Sequence, residues 1–152
     1  MNSELCYDTY MRHYTVGFVF NATLDRVLLM HKLKPEWQAG KLNGLGGKIE
    51  EGEDALACIV REIQEESNLV TQKSAWKEIG ILHGVDGEVI FFGLVYSGPE
   101  SAAQNSEEET IAWYDVEALP ANIVPNLAWL IPITLSKLKN EGMEYFNITE
   151  HH

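Results

Sequence analysis

The sequence predicts one α+β domain spanning residues 1–152, in which a mixed β-sheet is packed between helices as an α/β/α sandwich. Three observations predict this class. The length of 152 residues is typical of a single domain. Several short runs are rich in β-branched and aromatic residues, as strands are. Two longer segments, 54–69 and 127–138, show helical features and alternate with those runs.

The first half of the chain predicts two strands, a glycine-rich turn and a helix. Residues 14–20 and 26–30 are the strands, and 21–25 joins them as a hairpin. Residues 34–42 have no periodicity and predict a loop, and the following stretch, 43–52, contains four glycines that permit close backbone approach. From Asp54 onward apolar residues recur at helical spacing, at Leu56, Ile59, Val60 and Ile63.

The second half predicts two long strands, a polar loop, a short strand and a second helix. The strands are 77–83 and 88–96, with a turn at 84–87, and the short strand is 111–116 after the loop 97–110. In the helix 127–138, Pro132 either causes a kink or marks the true start.

Composition limits the classes of partner. The net charge of −12 disfavours a nucleic acid polymer or an anionic membrane, because both reward basic surfaces. An anionic small molecule remains compatible if a divalent cation supplies positive charge. The two cysteines form no disulfide framework, and neither a signal peptide nor a 20-residue apolar run is visible, so we expect a cytoplasmic protein. Residues 150–152 are consistent with a tag remnant and carry no weight.

The first helix carries clustered carboxylates. Glu62, Glu65 and Glu66 are separated by three and four residues and therefore project from one face. The ordinary interpretation is a solvated acidic face. Two observations favour a cation site instead: no Lys on this face relieves the repulsion, and a glycine-rich turn leads into the helix. Carboxylate and backbone oxygens are the ligands that Mg²⁺ prefers.

The same stretch resembles the signature of the Nudix family, G-x5-E-x7-R-E-U-x-E-E-x-G-U with U aliphatic. The matching positions in residues 47–69 are Gly47, Glu53, Arg61, Glu62, Ile63, Glu65, Glu66 and Leu69. Asn68 stands where the signature has Gly, and that position concerns the end of the helix rather than a metal ligand. We expect Asn68 to end the helix in the left-handed conformation. The predicted order of strands and helices is compatible with a Nudix fold.

The resemblance implies hydrolysis of a nucleoside diphosphate linked to another group, with Mg²⁺ or Mn²⁺ as cofactor. It implies that Glu62, Glu65, Glu66 and the Gly46 carbonyl hold the metal. Arg61 is implied to pair with Glu53 and to fix the turn against the helix. A metal-activated water would attack phosphorus, with Glu62 as the first candidate base and Glu66 or an acid outside the signature as alternatives.

One glutamate outside the signature is a further candidate. Glu108 resembles the glutamate that some Nudix enzymes bring to the metal site from another loop. The alternative is that it is one member of the exposed acidic run 107–109.

A second resemblance concerns the base. Residues 41–48 resemble the W-N-G-F-G-G-K stretch of MutT-like 8-oxo-dGTP diphosphatases, although Leu42 stands at the Trp position. By this resemblance Asn43 reads the purine edge, Gly46, Gly47 and Lys48 contact substrate, and Asn126 matches a base-reading Asn of bacterial members. Asn43 can equally be a turn residue before Gly44, and Asn126 a helix N-cap.

The sequence therefore predicts a metal-dependent pyrophosphohydrolase that converts a nucleoside triphosphate, purine and oxidised by resemblance, to the monophosphate and pyrophosphate. A hydrolase of ADP-ribose or a nucleotide sugar is one alternative. A catalytically silent nucleotide sensor is another, disfavoured because the signature glutamates are all present. We expect a monomer or homodimer that binds a nucleotide, with no nucleic acid polymer or membrane as partner.

Overall fold

The computed structural model describes residues 12–85, 87–106, 108–142 and 144–151, and these form one mixed sheet with a helix on each face. The strands are β1 (Arg12–Phe20), β2 (Arg26–His31), β3 (Leu42–Asn43), β4 (Leu45–Lys48), β5 (Lys77–His83), β6 (Gly87–Val95), β7 (Thr110–Asp115) and β8 (Phe146–Thr149). The helices are α1 (Ala55–Ser67) and α2 (Leu127–Leu138). Within these ranges no helix is long and apolar enough to cross a membrane.

The sheet is mixed because β1 pairs in parallel with β6, and β5 with β8, while the other pairings are antiparallel. The strand order is β3-β2-β1-β6-β5-β8, with β7 on β2 and β4 on β1. Since β4 pairs with the first half of β1, Gly46 and Gly47 lie opposite Val16 and Thr15. The predicted α+β sandwich is confirmed, and its glycine-rich strand lies at the centre of the molecule.

Two apolar clusters fill the two faces of the sheet. On one face Phe18 and Phe20 pack with Leu127, Leu130 and Ile131 of α2. On the other, Ile59 and Ile63 of α1 pack with sheet residues that include Val19, Leu28 and Phe92. Because every second residue of a strand points to the same face, Phe18 and Val19 belong to different clusters. The apolar period of α1 thereby fixes which side of the helix meets β4.

Three segments differ from the sequence-based expectations. The strand β8 was not predicted, because its four residues are mostly exposed and show no burial alternation. The loop 34–42 contains a 3₁₀ turn, Glu36–Gln38, and ends in the two-residue strand β3. The helix α2 begins at Leu127 with Pro132 inside it, so the alternative in which Pro132 marks its start is wrong.

Asn68 ends α1 in the left-handed conformation, with φ of 64°, and its N–H donates to the Gln64 carbonyl. The left-handed conformation is unfavourable for every residue that has a side chain, and its free-energy cost is smaller for Asn than for Ala. Gly has no side chain and adopts it freely. We therefore expect Asn68→Gly to raise the free energy of unfolding by about 0.5–1 kcal/mol and Asn68→Ala to lower it by about 1 kcal/mol. Urea unfolding of the three proteins measures both changes, and a stabilising Ala variant would contradict the account.

Candidate active site

The site begins where α1 starts. Asp54 precedes the helix, and its Oδ1 accepts a hydrogen bond of 2.7 Å from the Ala57 N–H, which satisfies one of the free amides of the first turn. Cys58, Ile59 and Ile63 are buried in the sheet-facing side of the helix. The side of α1 next to this buried side faces the glycine-rich strand β4. Side chains one turn apart lie above one another along it.

Glu66 is a buried carboxylate bound to the backbone of β4. Its Oε1 accepts a hydrogen bond of 2.8 Å from the Gly46 N–H, and the residue is 9% exposed. Burial, together with the nearby charge of Glu62, raises the pKa of Glu66 to about 8, against the opposing effects of the Gly46 N–H and Lys32. A carboxyl group that loses its charge so readily is placed where a cation would restore the charge.

The Glu62 carboxylate lies against Gly47, so a side chain at position 47 would displace it. A Cβ added to Gly47 would lie 2.6 Å from Glu62 Oε1, and one added to Gly46 would collide with the Thr15 carbonyl. Burial raises the pKa of Glu62, while the neighbouring Arg61 opposes the rise. The absence of a side chain at Gly47 therefore lets the Glu62 carboxylate lie against β4, and its absence at Gly46 lets β4 lie against the backbone of β1.

Arg61 donates hydrogen bonds to three glutamates and one backbone carbonyl, and its Nη1 also pairs with Glu50 at 3.8 Å. Its Nε and Nη2 donate to Glu53 at 2.7 and 2.9 Å, and its Nη1 donates to Glu62 at 2.7 Å and to Glu65 at 3.3 Å. Nη2 also donates to the Lys48 carbonyl at 3.2 Å. The guanidinium hydrogen bond lowers the pKa of Glu53 to about 2, mainly by favouring its ionised form. Arg61 thus connects the turn before α1, the end of β4 and the carboxylate face.

The loop before β7 brings a different glutamate to the site from the one that the sequence suggested. Glu108 is exposed. The side chain of Glu109 is 12% exposed, and its carboxylate accepts hydrogen bonds from Lys32 Nζ at 3.3 Å and from the Leu33 N–H at 2.6 Å. Burial opposes ionisation of Glu109, but the Leu33 N–H and Lys32 outweigh it, so its pKa is lowered.

Glu109 also lies close enough to Glu66 for its charge to raise the pKa of Glu66. The loop itself is attached to the end of α1, because the Gln104 N–H donates to the Ser67 carbonyl at 2.8 Å. Sequence reasoning missed Glu109 because an acidic run carries no periodicity that distinguishes one of its members from the next.

Of the two predicted base-reading residues, Asn43 is held by neighbouring groups. Its Oδ1 accepts from the Gly44 N–H at 2.8 Å, and its Nδ2 donates to Gln38 Oε1 at 2.9 Å. The hydrogen bond from Gly44 agrees with the interpretation of Asn43 as a turn residue. The hydrogen bond to Gln38 is not explained by that interpretation. Asn126 directly precedes α2, and within the described residues its side chain makes no capping hydrogen bond to that helix. The N-cap interpretation therefore has no support.

The remaining predicted residues flank this pair. Leu42, which stands at the Trp position of the resembled stretch, is 2% exposed and packs in the core. Its backbone pairs with the segment before α2, since the Leu42 N–H donates to the Asn122 carbonyl and the Val124 N–H donates to the Leu42 carbonyl. This pairing brings the segment that leads to Asn126 alongside β3. Lys48 is exposed at the end of β4.

The donor set suits a hard divalent cation. Across the parts of the chain that the structure describes, no three His, Cys, Asp or Glu side chains already surround one point. Mg²⁺ does not need such a cage, because it takes one or two carboxylates and completes its shell with water and substrate phosphates. Glu62 and Glu66, both destabilised as anions by burial, meet that requirement.

Comparison with known proteins agrees with the geometry. A model of the NUDIX domain matches residues 11–132. The oxidized purine nucleoside triphosphate hydrolase of Mus musculus is 30% identical over 135 residues, covering 84% of this chain and 82% of that protein. The NAD-capped RNA hydrolase NudC of Pseudomonas fluorescens is 29% identical over 96 residues, covering 63% of this chain but 34% of that protein.

Solved structures share the fold. A chain from a study of MutT from Aliivibrio salmonicida and Vibrio cholerae superposes with a TM-score of 0.62 at 19% identity, covering 80% of this chain and 96% of that one. At 19% identity this likeness shows only the shared arrangement of strands and helices. The candidate site rests on the side-chain contacts of this chain.

Proposed function

Because the chain belongs to the Nudix hydrolase family, we propose that it is a metal-dependent pyrophosphohydrolase that cleaves a purine nucleoside triphosphate to the monophosphate and pyrophosphate. The observation that carries the proposal is the packing of Glu62 and Glu66 against the backbone of Gly47 and Gly46. That arrangement places two carboxylates beside the backbone of β4, and Mg²⁺ takes carboxylate and carbonyl oxygens together with substrate phosphates.

The cation would be Mg²⁺ or Mn²⁺, held by Glu62, Glu65, Glu66 and the Gly46 carbonyl. When bound, it would neutralise charge on the phosphates and acidify a water molecule. Arg61 orients Glu62 and Glu65, since it donates a hydrogen bond to each, and it opposes the rise in the pKa of Glu62. Glu53 orients Arg61 in turn through two hydrogen bonds.

Glu62 is the proposed base that accepts the proton of the attacking water, with Glu66 as the alternative. Burial raises the pKa of Glu62, which increases its affinity for that proton. We assign the contribution from outside the signature to Glu109 in place of Glu108, because the Glu109 side chain is only 12% exposed whereas Glu108 is exposed, and the charge of Glu109 acts on Glu66. Lys32, bound to Glu109, would keep that carboxylate ionised.

The proposed substrate is an oxidised purine nucleoside triphosphate such as 8-oxo-dGTP. The mouse relative is named for oxidised purine nucleoside triphosphates, and this chain covers most of its length. Asn43 and Asn126 are the proposed base-reading amides, since an amide offers a donor and an acceptor in one plane. Lys48, exposed at the end of β4, is free to contact the phosphates.

A second candidate substrate is a dinucleotide joined by a diphosphate, such as NAD or ADP-ribose. The match to a relative named for NAD-capped RNA favours it. We rank this candidate second because the match covers only 34% of that relative. Cytoplasmic location and a monomeric or dimeric state stay predictions.

Turnover of a substrate panel tests the proposal. The panel contains the four deoxynucleoside triphosphates, 8-oxo-dGTP, ADP-ribose, NAD and GDP-mannose, each with Mg²⁺ or Mn²⁺. We expect the highest kcat/KM for a purine triphosphate, with pyrophosphate rather than phosphate as the released product. The matched control is Glu62→Gln prepared in the same way, which removes any contaminating phosphatase as an explanation. Preferential turnover of ADP-ribose or NAD would replace the first candidate by the second.

A further inference from the structure

The candidate base-reading residue is part of a chain of three hydrogen-bonding groups. The Gly44 N–H donates to Asn43 Oδ1 at 2.8 Å, and Asn43 Nδ2 donates to Gln38 Oε1 at 2.9 Å. Gln38 and Asn43 are both half-buried. The two side-chain amides are therefore partly exposed to solvent, and the Gly44 N–H sets their orientation.

The direction of this chain follows from chemistry and does not depend on how an amide is assigned. A backbone N–H can only donate, so the Asn43 atom that faces Gly44 must be the oxygen. The Asn43 nitrogen then faces Gln38, and only the oxygen of Gln38 can accept from it. Each bond uses one of the hydrogen-bonding positions of Asn43, which leaves this side chain with one donor and one acceptor for a ligand.

Gln38 is itself fixed by the backbone of its loop. In the 3₁₀ turn Glu36–Gln38 the Gln38 N–H donates to the Pro35 carbonyl, and the Lys41 N–H donates to the Gln38 carbonyl, both at 2.9 Å. The loop closes where the Lys32 N–H donates to the Lys41 carbonyl at 2.8 Å. A side chain whose backbone is held in a hydrogen-bonded turn loses less conformational entropy on forming a contact than one on a mobile loop.

Asn43 also lies within reach of the catalytic turn. Gly46 is three positions further along the chain, so the Cα atoms of the two residues are at most about 11 Å apart. Gly46 binds Glu66, the buried carboxylate of the cation site. A nucleotide with its phosphates at Glu66 would therefore extend its base toward the Asn43 amide.

We propose that Gln38 is a positioning residue for base recognition: by holding Asn43 in one amide orientation, it determines which pattern of donor and acceptor meets the purine edge. This inference rests on the proposed function. Without Gln38, the Asn43 amide would lose one of its two fixing bonds and present its groups in more than one arrangement. The ligand recognised is a purine that offers a complementary acceptor and donor.

The test compares two substitutions of Gln38 that differ in whether they can accept a hydrogen bond from Asn43. Gln38→Met removes the acceptor at similar size, whereas Gln38→Glu keeps an acceptor for Asn43 Nδ2. We expect Gln38→Met to raise KM for the preferred purine triphosphate about five- to tenfold, with kcat within about twofold and pyrimidine turnover unchanged. Gln38→Glu should restore the purine-to-pyrimidine ratio of kcat/KM, even if its charge affects all nucleotides equally. The exposed Gln72, changed to Met, is the matched control.

A double-mutant cycle with Asn43→Ala shows whether Gln38 acts through Asn43. If it does, adding Gln38→Met to Asn43→Ala changes purine discrimination by less than about twofold. Additive effects, or an unchanged purine-to-pyrimidine ratio in Gln38→Met, would overturn the positioning role while leaving the hydrolase intact. Gln38→Ala provides the same comparison if methionine is not accommodated. Failure of the wild-type protein to cleave any nucleoside triphosphate would overturn the proposed substrate class, and the base assignment with it.

Discussion

Replacing Glu66 by Gln is expected to lower kcat by about 10²–10³-fold in the presence of Mg²⁺, while the protein remains folded. Glutamine is nearly the same size and can still accept from the Gly46 N–H, so the packing of α1 on β4 is retained. What it loses is the negative charge. If Glu66 holds the cation, the variant should also lose the increase in melting temperature that Mg²⁺ gives the wild-type protein.

The same substitution should have the opposite effect on stability when metal is absent. Because the pKa of Glu66 is raised from 4.5 to about 8, the folded protein binds a proton between these pH values that the unfolded chain has released. The stability that comes from this proton is fully present below pH 4.5 and is lost as pH rises through 8. In EDTA, Glu66→Gln should therefore be more stable than the wild type by about 2–4 kcal/mol at pH 8, and the difference should vanish near pH 4.

Urea unfolding in EDTA at pH 4, 6 and 8, together with kinetics in Mg²⁺, measures both effects. Glu117→Gln is the matched control, since Glu117 is exposed and follows β7. Its turnover and stability should stay close to those of the wild type. A Glu66→Gln enzyme that keeps most of its activity would remove Glu66 from the cation site. If the stability difference between Glu66→Gln and the wild type did not change with pH, ionisation of Glu66 would not destabilise the metal-free protein.

The helix and its carboxylate face could be predicted because they depend on spacing alone. An α-helix repeats every 3.6 residues, so Ile59 and Ile63 define the buried side and thereby place Glu62 and Glu66 next to β4. Asn68 was predictable for a similar reason, as few residues other than Gly adopt the left-handed conformation that ends α1. Local chemistry was sufficient in each case.

Residues contributed by irregular segments could not be predicted in this way. In the run 107–109, the side of the loop that faces α1 is decided by contacts with Lys32 and Leu33, which are distant in sequence. Gln38 lies in a loop without periodicity, and its bond to Asn43 exists only because that loop closes on itself. The signature predicted the proposed cation site, but the residues proposed to select and orient a substrate depend on long-range pairing.

Replacing Arg61 by Met should lower the free energy of unfolding by about 3 kcal/mol at pH 7 and reduce turnover by at least about 100-fold. The Arg61 side chain is 24% exposed, bonds to Glu53, Glu62 and Glu65 and pairs with Glu50 at 3.8 Å, so its removal leaves four carboxylates without this cation between them. Arg61→Lys keeps the charge, but a single ammonium group cannot replace a planar fork that binds Glu53 through two nitrogens. Its turnover should therefore remain well below that of the wild type.

The pH dependence separates this electrostatic role from simple packing. Arg61 holds the pKa of Glu53 at about 2, below its usual 4.5, so the stability from this pair is present above pH 4.5 and is lost as pH falls toward 2. The difference in unfolding free energy between wild type and Arg61→Met should accordingly shrink between pH 5 and pH 3. Arg26→Met is the matched control, because Arg26 forms an exposed pair with Glu100 at 3.5 Å and should cost less than about 1 kcal/mol. If the loss in Arg61→Met were equal at both pH values, Arg61 would act through its aliphatic packing, and the fixed position of Glu62 would need another cause.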